Sequence, residues 1–379
     1  MKILHLSDLH IGKRVNEQSM IEDQAYILDE ILRITNDKAP NAIVIAGDIY
    51  DKSVPSAEAV SLFDDFIVKL SKTRIPVLII SGNHDSAERL AFASELIERA
   101  GIYISPVYNG EIKPVTLSDE HGEVRFYLLP FIKPLNVKRF FEGEEIVSYT
   151  DALRVAISSM NIDTSVRNVL VCHQFVTGAT RSESEDISVG GTDNVDAGVL
   201  KDFDFVALGH IHGPQNIGSD KIHYCGTPLK YSFSEVNHKK GVSLVTLGKK
   251  GELSIERVPL VPLRDMREIK GKYDELMRRD YYESTTLQSD YVHIILTDED
   301  DVPNAINKLR TVYKNILRLS YDNKRTRALS HIEGAPEVEG RTPYELFADF
   351  YKEQNGDELS AEQDAFVRDL IEKIWEDKR

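Results

Sequence analysis

Cysteine is nearly absent: two among 379 residues, Cys172 and Cys225, with no Cys-x-x-Cys spacing. That excludes a disulfide-stapled scaffold and a thiolate zinc cluster, and both sulfurs are expected to pack as small apolar groups in strands. Long apolar runs are missing too. No stretch approaches the roughly 20 residues that cross a bilayer, and Met1-Lys2-Ile3 leads into a strand instead of a signal peptide, so a cytoplasmic protein without a membrane partner is expected. Cations are scarce: 46 Lys and Arg against 62 Asp and Glu leave a formal charge of −16. Such a balance opposes unaided nucleic-acid binding, which cations meeting phosphates drive. Net charge is not local field, however. Basic pairs recur at Lys13-Arg14, Lys138-Arg139, Lys239-Lys240, Arg278-Arg279 and Lys324-Arg325, and fewer than half of them are expected to meet a polyanion.

What the chain has instead is a repeated pattern. Five short apolar runs each stop at a residue able to bind a metal. Ile3 to Leu6 precedes Asp8 and His10; Ile43 to Ala46 precedes Gly47-Asp48; Val77 to Ile80 precedes Gly82-Asn83-His84-Asp85. Val169 to Cys172 precedes His173, and Phe205 to Leu208 precedes Gly209-His210-Ile211-His212. Continuous β-branched and leucine-rich runs separated by helix-length segments read as parallel strands buried on both faces. Ligands bind at the carboxyl edge of such sheets, where loops converge over rigid strands. A single Gly-Asp is commonly a turn, and a lone His is more often a hydrogen-bonded core or surface residue. The coincidence of seven such residues at one relative position outweighs both. Aspartate, asparagine and imidazole donors without thiolate suit manganese, iron or zinc. Asp85 either supports a ligand or caps a helix starting near Ser86. Cys172 alternates away from His173 and is no ligand.

The order Asp8-x-His10, Gly47-Asp48-x-x-Asp51, Gly82-Asn83-His84-Asp85, His173 and Gly209-His210-x-His212 resembles the calcineurin-like metallophosphoesterase superfamily. Within it the chain is similar to the nuclease subunits of bacterial DNA break-repair complexes, through stretches such as Ser188 to Asp193 and Tyr224-Cys225-Gly226-Thr227-Pro228. The resemblance is strong over residues 1 to about 250. It implies an α/β fold: a two-sheet metallophosphoesterase core flanked by helices, a small α/β cap domain and a C-terminal helical hairpin. It implies two divalent ions, manganese foremost, with Asp8, His10 and His212 on one, Asn83, His173 and His210 on the other, and Asp48 bridging. His84 would face the leaving-group oxygen, with Asp51 orienting it. The implied activity is metal-dependent hydrolysis of DNA, exonucleolytic on duplex ends and endonucleolytic on single strands or hairpins, in a nucleoid-associated complex with a structural-maintenance-type ATPase. A phosphatase or small-molecule phosphodiesterase of the same superfamily, and a catalytically silent scaffold, are the alternatives.

The core is expected over 1–260, with Val242 to Leu247 a sandwich strand. Residues 265–333 form the cap, with strands at Tyr291 to Leu296 and Ile316 to Leu319 and a helix after Val302-Pro303. Gly334 to Gly340 reads as the heart of a linker over 334–341. Beyond it, over 342–379, Thr342-Pro343-Tyr344-Glu345 and Ser360-Ala361-Glu362-Gln363 are capping boxes opening two helices divided at Asn355-Gly356. Leu346, Phe347, Phe350 and Tyr351 stripe the first helix. Phe366, Val367, Leu370, Ile371, Ile374 and Trp375 stripe the second; such stripes usually pack within one chain, but a terminal hairpin beyond a linker suits docking on a partner as well, which the resemblance makes the coiled coil of the ATPase. Helices starting near Ser56 and Ser86 carry Val60, Phe63, Ile67 and Leu70, and Leu90, Leu96 and Ile97. The resemblance makes them a homodimer bundle within a heterotetramer.

Overall fold

A computed structural model describes residues 1–182, 185, 193–324, 326, 343–355 and 358–376. Its first strands are β1 (Lys2–Leu6), β2 (Ala42–Ala46), β3 (Val77–Ile80) and β4 (Ile102–Ile104), all parallel. There follow β5 (Val115–Asp119), β6 (Gly122–Leu128), β7 (Arg167–His173), β8 (Phe205–Gly209), β9 (Gln215–Ile217) and β10 (Ser219–Tyr224). Then come β11 (Gly241–Leu247) and β12 (Leu253–Pro259), and after them β13 (Met266–Gly271), β14 (Tyr291–Leu296) and β15 (Asn315–Tyr321). One six-stranded sheet runs β12-β11-β1-β2-β3-β4, a second runs β9-β10-β8-β7-β6-β5, and a three-stranded sheet runs β13-β14-β15. All five apolar runs are therefore strands, and the two large sheets are parallel at their centres.

The two large sheets face each other, and the alternation of each strand shows it. Ile3, Val44, Leu78 and Ile80 of the first meet Phe126, Val169, Val171, Phe205 and Ala207 of the second in one buried cluster. The intervening residues point outward. Leu4, Ile43, Ile45 and Ile79 pack under α1 (Ile21–Lys38) and α2 (Ala57–Ser71), and Leu170, Cys172, Val206 and Leu208 pack under α3 (Tyr149–Ser158). Because both faces are covered, the strands hold few polar positions, such as the buried His5, which is why they read as apolar runs. Each helix supplies its stripe at 3.6 spacing, as Ile27, Ile31 and Ile34 do in α1. Cys172 and Cys225 are both buried and unbonded to each other.

The segment after Ser86 differs from a single helix. It forms two turns, Ala87–Leu90 and Ser94–Ile97, interrupted at Ala93, which takes a left-handed φ of 59°. Apolar positions 90, 96 and 97 do not keep one helical face, and Phe92 and Leu96 stand 82% and 71% exposed. Asp85 does not cap this segment; the Ser86 hydroxyl does.

By internal contacts the chain has two units, Met1–Ile295 with Pro303–Ser320, and Leu296–Val302 with Tyr321–Arg379. The second unit contains α4 (Pro343–Asn355) and α5 (Ala361–Glu376). The Ser360 capping box forms, with Ser360 N donating to Gln363 and Gln363 N to Ser360 Oγ. Arg368 lies over the Tyr344 ring at 3.5 Å. Phe347, Phe350, Phe366 and Leu370 are exposed. The linker at 334–341, Thr342, Gly356, Arg325, the stretch Ser188 to Thr192 and the side chains of Ile374 and Trp375 lie outside the described residues. Among the described residues, no helix is long and apolar enough to cross a membrane.

Candidate metal centre

The carboxyl edges of β1, β2, β3, β7 and β8 carry all seven metal-ligand candidates. Getting them there demands unusual backbone. Asp8, His10, Asp48 and His210 are non-glycine residues at φ of 52°, 45°, 50° and 96°. A residue with a Cβ adopts that region at a cost of roughly 1–3 kcal/mol, and such residues gather where function requires them. The loops are laced together: Asp8 N donates to Gly47 O, His10 N to Asp48 O and His210 N to Asp8 Oδ1, each at 3.0 Å. Glycine permits the closeness. A Cβ on Gly82 would lie 2.1 Å from Asp48 Oδ1, and one on Gly209 would lie 1.9 Å from Ala46 O.

The side chains gather into two main overlapping groups and a third beside them. Ligand atoms of Asp8, His10 and His212 lie within 4.8 Å of one another, and so do those of Asp8, Asp48 and His173, and those of His10, Asp48 and His84. His10 Nε2 and His212 Nε2 face each other at 3.2 Å. Asn83 Oδ1 is 3.0 Å from both His173 Nε2 and His210 Nδ1. Asp48 stands between the groups, its Oδ2 3.3 Å from His173 Nε2 and 3.7 Å from His10 Nε2. Except for Asn83 and His84, which are half-buried, these residues are buried.

This donor set fits divalent cations. His173 Nδ1 donates to Ala46 O at 2.8 Å, so Nε2 is the atom turned toward the carboxylates and the Asn83 carbonyl. His212 Nδ1 donates to Glu235 Oε1 at 3.1 Å, turning its Nε2 toward His10. Oxygens and ring nitrogens thus converge with too few protons among them, and positive charge is what they require. The protonation balance says the same. Burial pushes the His173 imidazolium down, but Asp48 and Asp8 outweigh it and lift the ring to about 9. Burial pushes Asp48 up, and the facing His173, His10 and His84 reverse that, holding it well below the carboxylate range. Burial also raises Asp8 to about 6.

His84 is brought beside the cluster. Its backbone N–H donates to Asp48 Oδ1 at 2.9 Å, and its ring lies 4.9 Å from that of His10. Asp51 meets it through the main chain: His84 Nδ1 is 3.0 Å from Asp51 O, whereas the Asp51 carboxylate lies 2.7 Å from Lys13 Nζ. The Asp85 carboxylate accepts from Ile49 N, Tyr50 N and Gly82 N, tying the β2 and β3 loops.

Of two further residues here, one carries no signal in the sequence and the other, Lys240, stands out there only as half of a basic pair. Glu235, fully buried, holds His212, and Lys240 holds Glu235 at 2.5 Å while also donating to His212 O and Thr227 Oγ1. Such partners fix the tautomer and aim of a metal-facing imidazole. Glu235→Gln should therefore weaken divalent-ion affinity about 10- to 100-fold. Calorimetric titration of Mn²⁺ into the ion-free protein measures it, and an unchanged affinity would remove Glu235 from the site.

The chain is similar to known proteins. The family described as calcineurin-like phosphoesterase matches residues 1–214, and that described as type 5 capsule protein repressor C-terminal domain matches residues 262–355. The chain is similar to the SbcD subunit of the SbcCD nuclease of Staphylococcus epidermidis, 34% identical over 381 residues that cover 99% of each protein. It is 34% identical to the protein of the same name from Staphylococcus saprophyticus, over 100% of this chain and 99% of that one. Among solved structures, a dimetal phosphatase from Danio rerio superposes with a TM-score of 0.45 at 14% identity, covering 69% of this chain and 96% of that one.

Proposed function

This chain belongs to the calcineurin-like phosphoesterase family, among the SbcD proteins of SbcCD nucleases, and from that membership we propose that it is the metal-dependent DNA-cutting component of an SbcCD complex. The observation that carries the reading is the Asp48 carboxylate, flanked by imidazoles of both groups at 3.3 and 3.7 Å. Asp8, His10 and His212 would hold one divalent ion and Asn83, His173 and His210 another, with Asp48 shared; manganese is the ion we assign. When bound, such ions supply Lewis acidity and charge neutralisation to a phosphodiester and an attacking water.

The chain's own groups do the rest. His84 presents Nε2 to the departing oxygen, to which a proton on that atom could pass, and the Asp51 carbonyl, accepting from Nδ1, fixes the aim of the ring. The Asp51 carboxylate holds Lys13, keeping the β1 and β2 loops in register. The left-handed loop residues fix the ligand directions beforehand, which is what an electrostatic catalyst needs.

Two surfaces suit partners. The exposed aromatic and leucine positions of α4 and α5 suit helix docking on the coiled coil of an SbcC ATPase. Val60 and Val68 of α2, with Phe92 and Leu96 beyond it, suit a homodimer within a heterotetramer. A cytoplasmic, nucleoid-associated location follows from the substrate. The test is cleavage of a labelled DNA hairpin and of duplex ends in Mn²⁺, with and without the ATPase. Cutting that stops in chelator is expected. Hydrolysis of p-nitrophenyl phosphate with no cutting of DNA under either condition would overturn the reading in favour of a phosphatase.

A further inference from the structure

An open cleft of about 440 Å³ borders the metal centre at Asn83, on the side of the loops that follow β3 and β6. Its volume is that of a small-ligand cleft. One wall is Phe131, anchored by its backbone N–H to Ser81 O at 2.9 Å and set edge-to-face against His173 with ring centres 6.3 Å apart. Arg89 and Lys133 line the rim.

In a protein of net charge −16, several cations are neutralised by carboxylates: Arg167 by Asp119, Lys240 by Glu235, Arg264 by Asp23, Lys230 by Asp265. Among the described residues neither Arg89 nor Lys133 meets a carboxylate within 4.0 Å. Arg89 instead donates to the carbonyl of Ser53 across the cleft, at 3.2 Å. Two acids also line the cleft, and both are engaged: Asp85 accepts three backbone N–H groups, and Glu88 accepts from the Ser86 hydroxyl. An aromatic face beside two unopposed cations is the chemistry that holds a single nucleic-acid strand: a base on the ring, phosphates on the charges. A closed duplex offers no base face to such a wall.

We propose that this cleft is a subsite for the unpaired nucleotide flanking the scissile phosphodiester, with Phe131 against its base and Arg89 and Lys133 on the adjoining phosphates. The proposal rests on the nuclease reading above and deepens it. It makes local unpairing beside the cut a requirement of the site itself, and it places cationic grip where the acidic chain otherwise has little.

The test compares two substrates on the full-length chain in Mn²⁺: a short labelled oligothymidylate, and bis(p-nitrophenyl) phosphate, which has no flanking nucleotide. In the double variant Arg89→Ala, Lys133→Ala, the ratio of kcat/KM for oligonucleotide over ester should fall roughly tenfold or more. The slope of log kcat/KM against log salt for the oligonucleotide should flatten by about 1.4, the value for two lost single-strand phosphate contacts. Removing two exposed lysines from the opposite end of the second sheet, Lys201→Ala with Lys221→Ala, should leave that ratio where it was. Phe131→Ala and an abasic flanking nucleotide should each lower the ratio roughly 5- to 150-fold, the range for one lost base stack, and together no further. An unchanged ratio and slope in the Arg89, Lys133 variant, or an equal fall in the Lys201, Lys221 control, overturns the subsite while leaving the nuclease intact. A parent that hydrolyses neither substrate removes the functional reading, and the subsite with it.

Discussion

Asp48→Asn should lower phosphodiester hydrolysis roughly 10³-fold or more while leaving the fold in place. The loss follows from position: Asp48 lies within 4 Å of imidazoles in both groups, so the change weakens both ion sites at once. Several kcal/mol of transition-state stabilisation depend on those ions, and each 1.4 kcal/mol is tenfold in rate. The fold should survive because Asn is nearly isosteric. Its carbonyl oxygen can still accept the His84 N–H that Asp48 Oδ1 accepts at 2.9 Å, and its NH₂ can face His173. Thermal unfolding separates the two effects. The ion-free variant should melt close to the ion-free parent. In the parent, ligand at a hundredfold excess over Kd should add about 2.7 kcal/mol per site, and in the variant that gain should vanish. A variant that keeps the Mn²⁺-dependent gain and cuts DNA would sink the bridging assignment.

His84→Ala comes second in size and tests a different group. Proton transfer by a positioned side chain contributes roughly 10² to 10⁴ in rate, so kcat should drop by that factor with little change in KM or in Mn²⁺ affinity. A leaving group that needs no proton should feel the loss less, so p-nitrophenolate esters should retain far more activity than DNA. An equal loss on both would assign the imidazole to the charge around Asp48, whose Oδ2 lies 3.9 Å from His84 Nε2, and not to the leaving oxygen. Because the residue is only half-buried, truncation opens no core cavity and confounding instability should be small.

The ligands are legible in the sequence because of how the strands are covered. Val77 to Ile80 shows the reason: Leu78 and Ile80 face the second sheet, while Val77 and Ile79 lie beneath the helices, so no polar residue interrupts the run until the loop begins. The first polar side chains after such a run are therefore conspicuous. Glu235 offers no comparable cue. It ends a one-turn segment, Phe233–Glu235, and reaches His212 from 23 positions away, a pairing that only the packed loops create. Asp51 shows the same limit differently. Its type and spacing draw attention to His84, but whether carboxylate or carbonyl faces that ring depends on Lys13, which arrives from the β1 loop. The break at Ala93 is hidden because a left-handed alanine has no local sequence signature. By contrast, the Ser360 box forms as spaced, since a cap is local chemistry.

The left-handed aspartates and histidines of the metal centre put folding and activity in opposition. Glycine at position 8, 10 or 48 would relax the main chain and, on that account alone, make the molecule harder to unfold. Each such exchange would also remove a group facing the ions. A lineage selected only for robustness would drift toward glycine at these turns, and one that must cut DNA cannot. Bulky residues at these turns, held there at the expense of stability, are what a centre built to face ions requires.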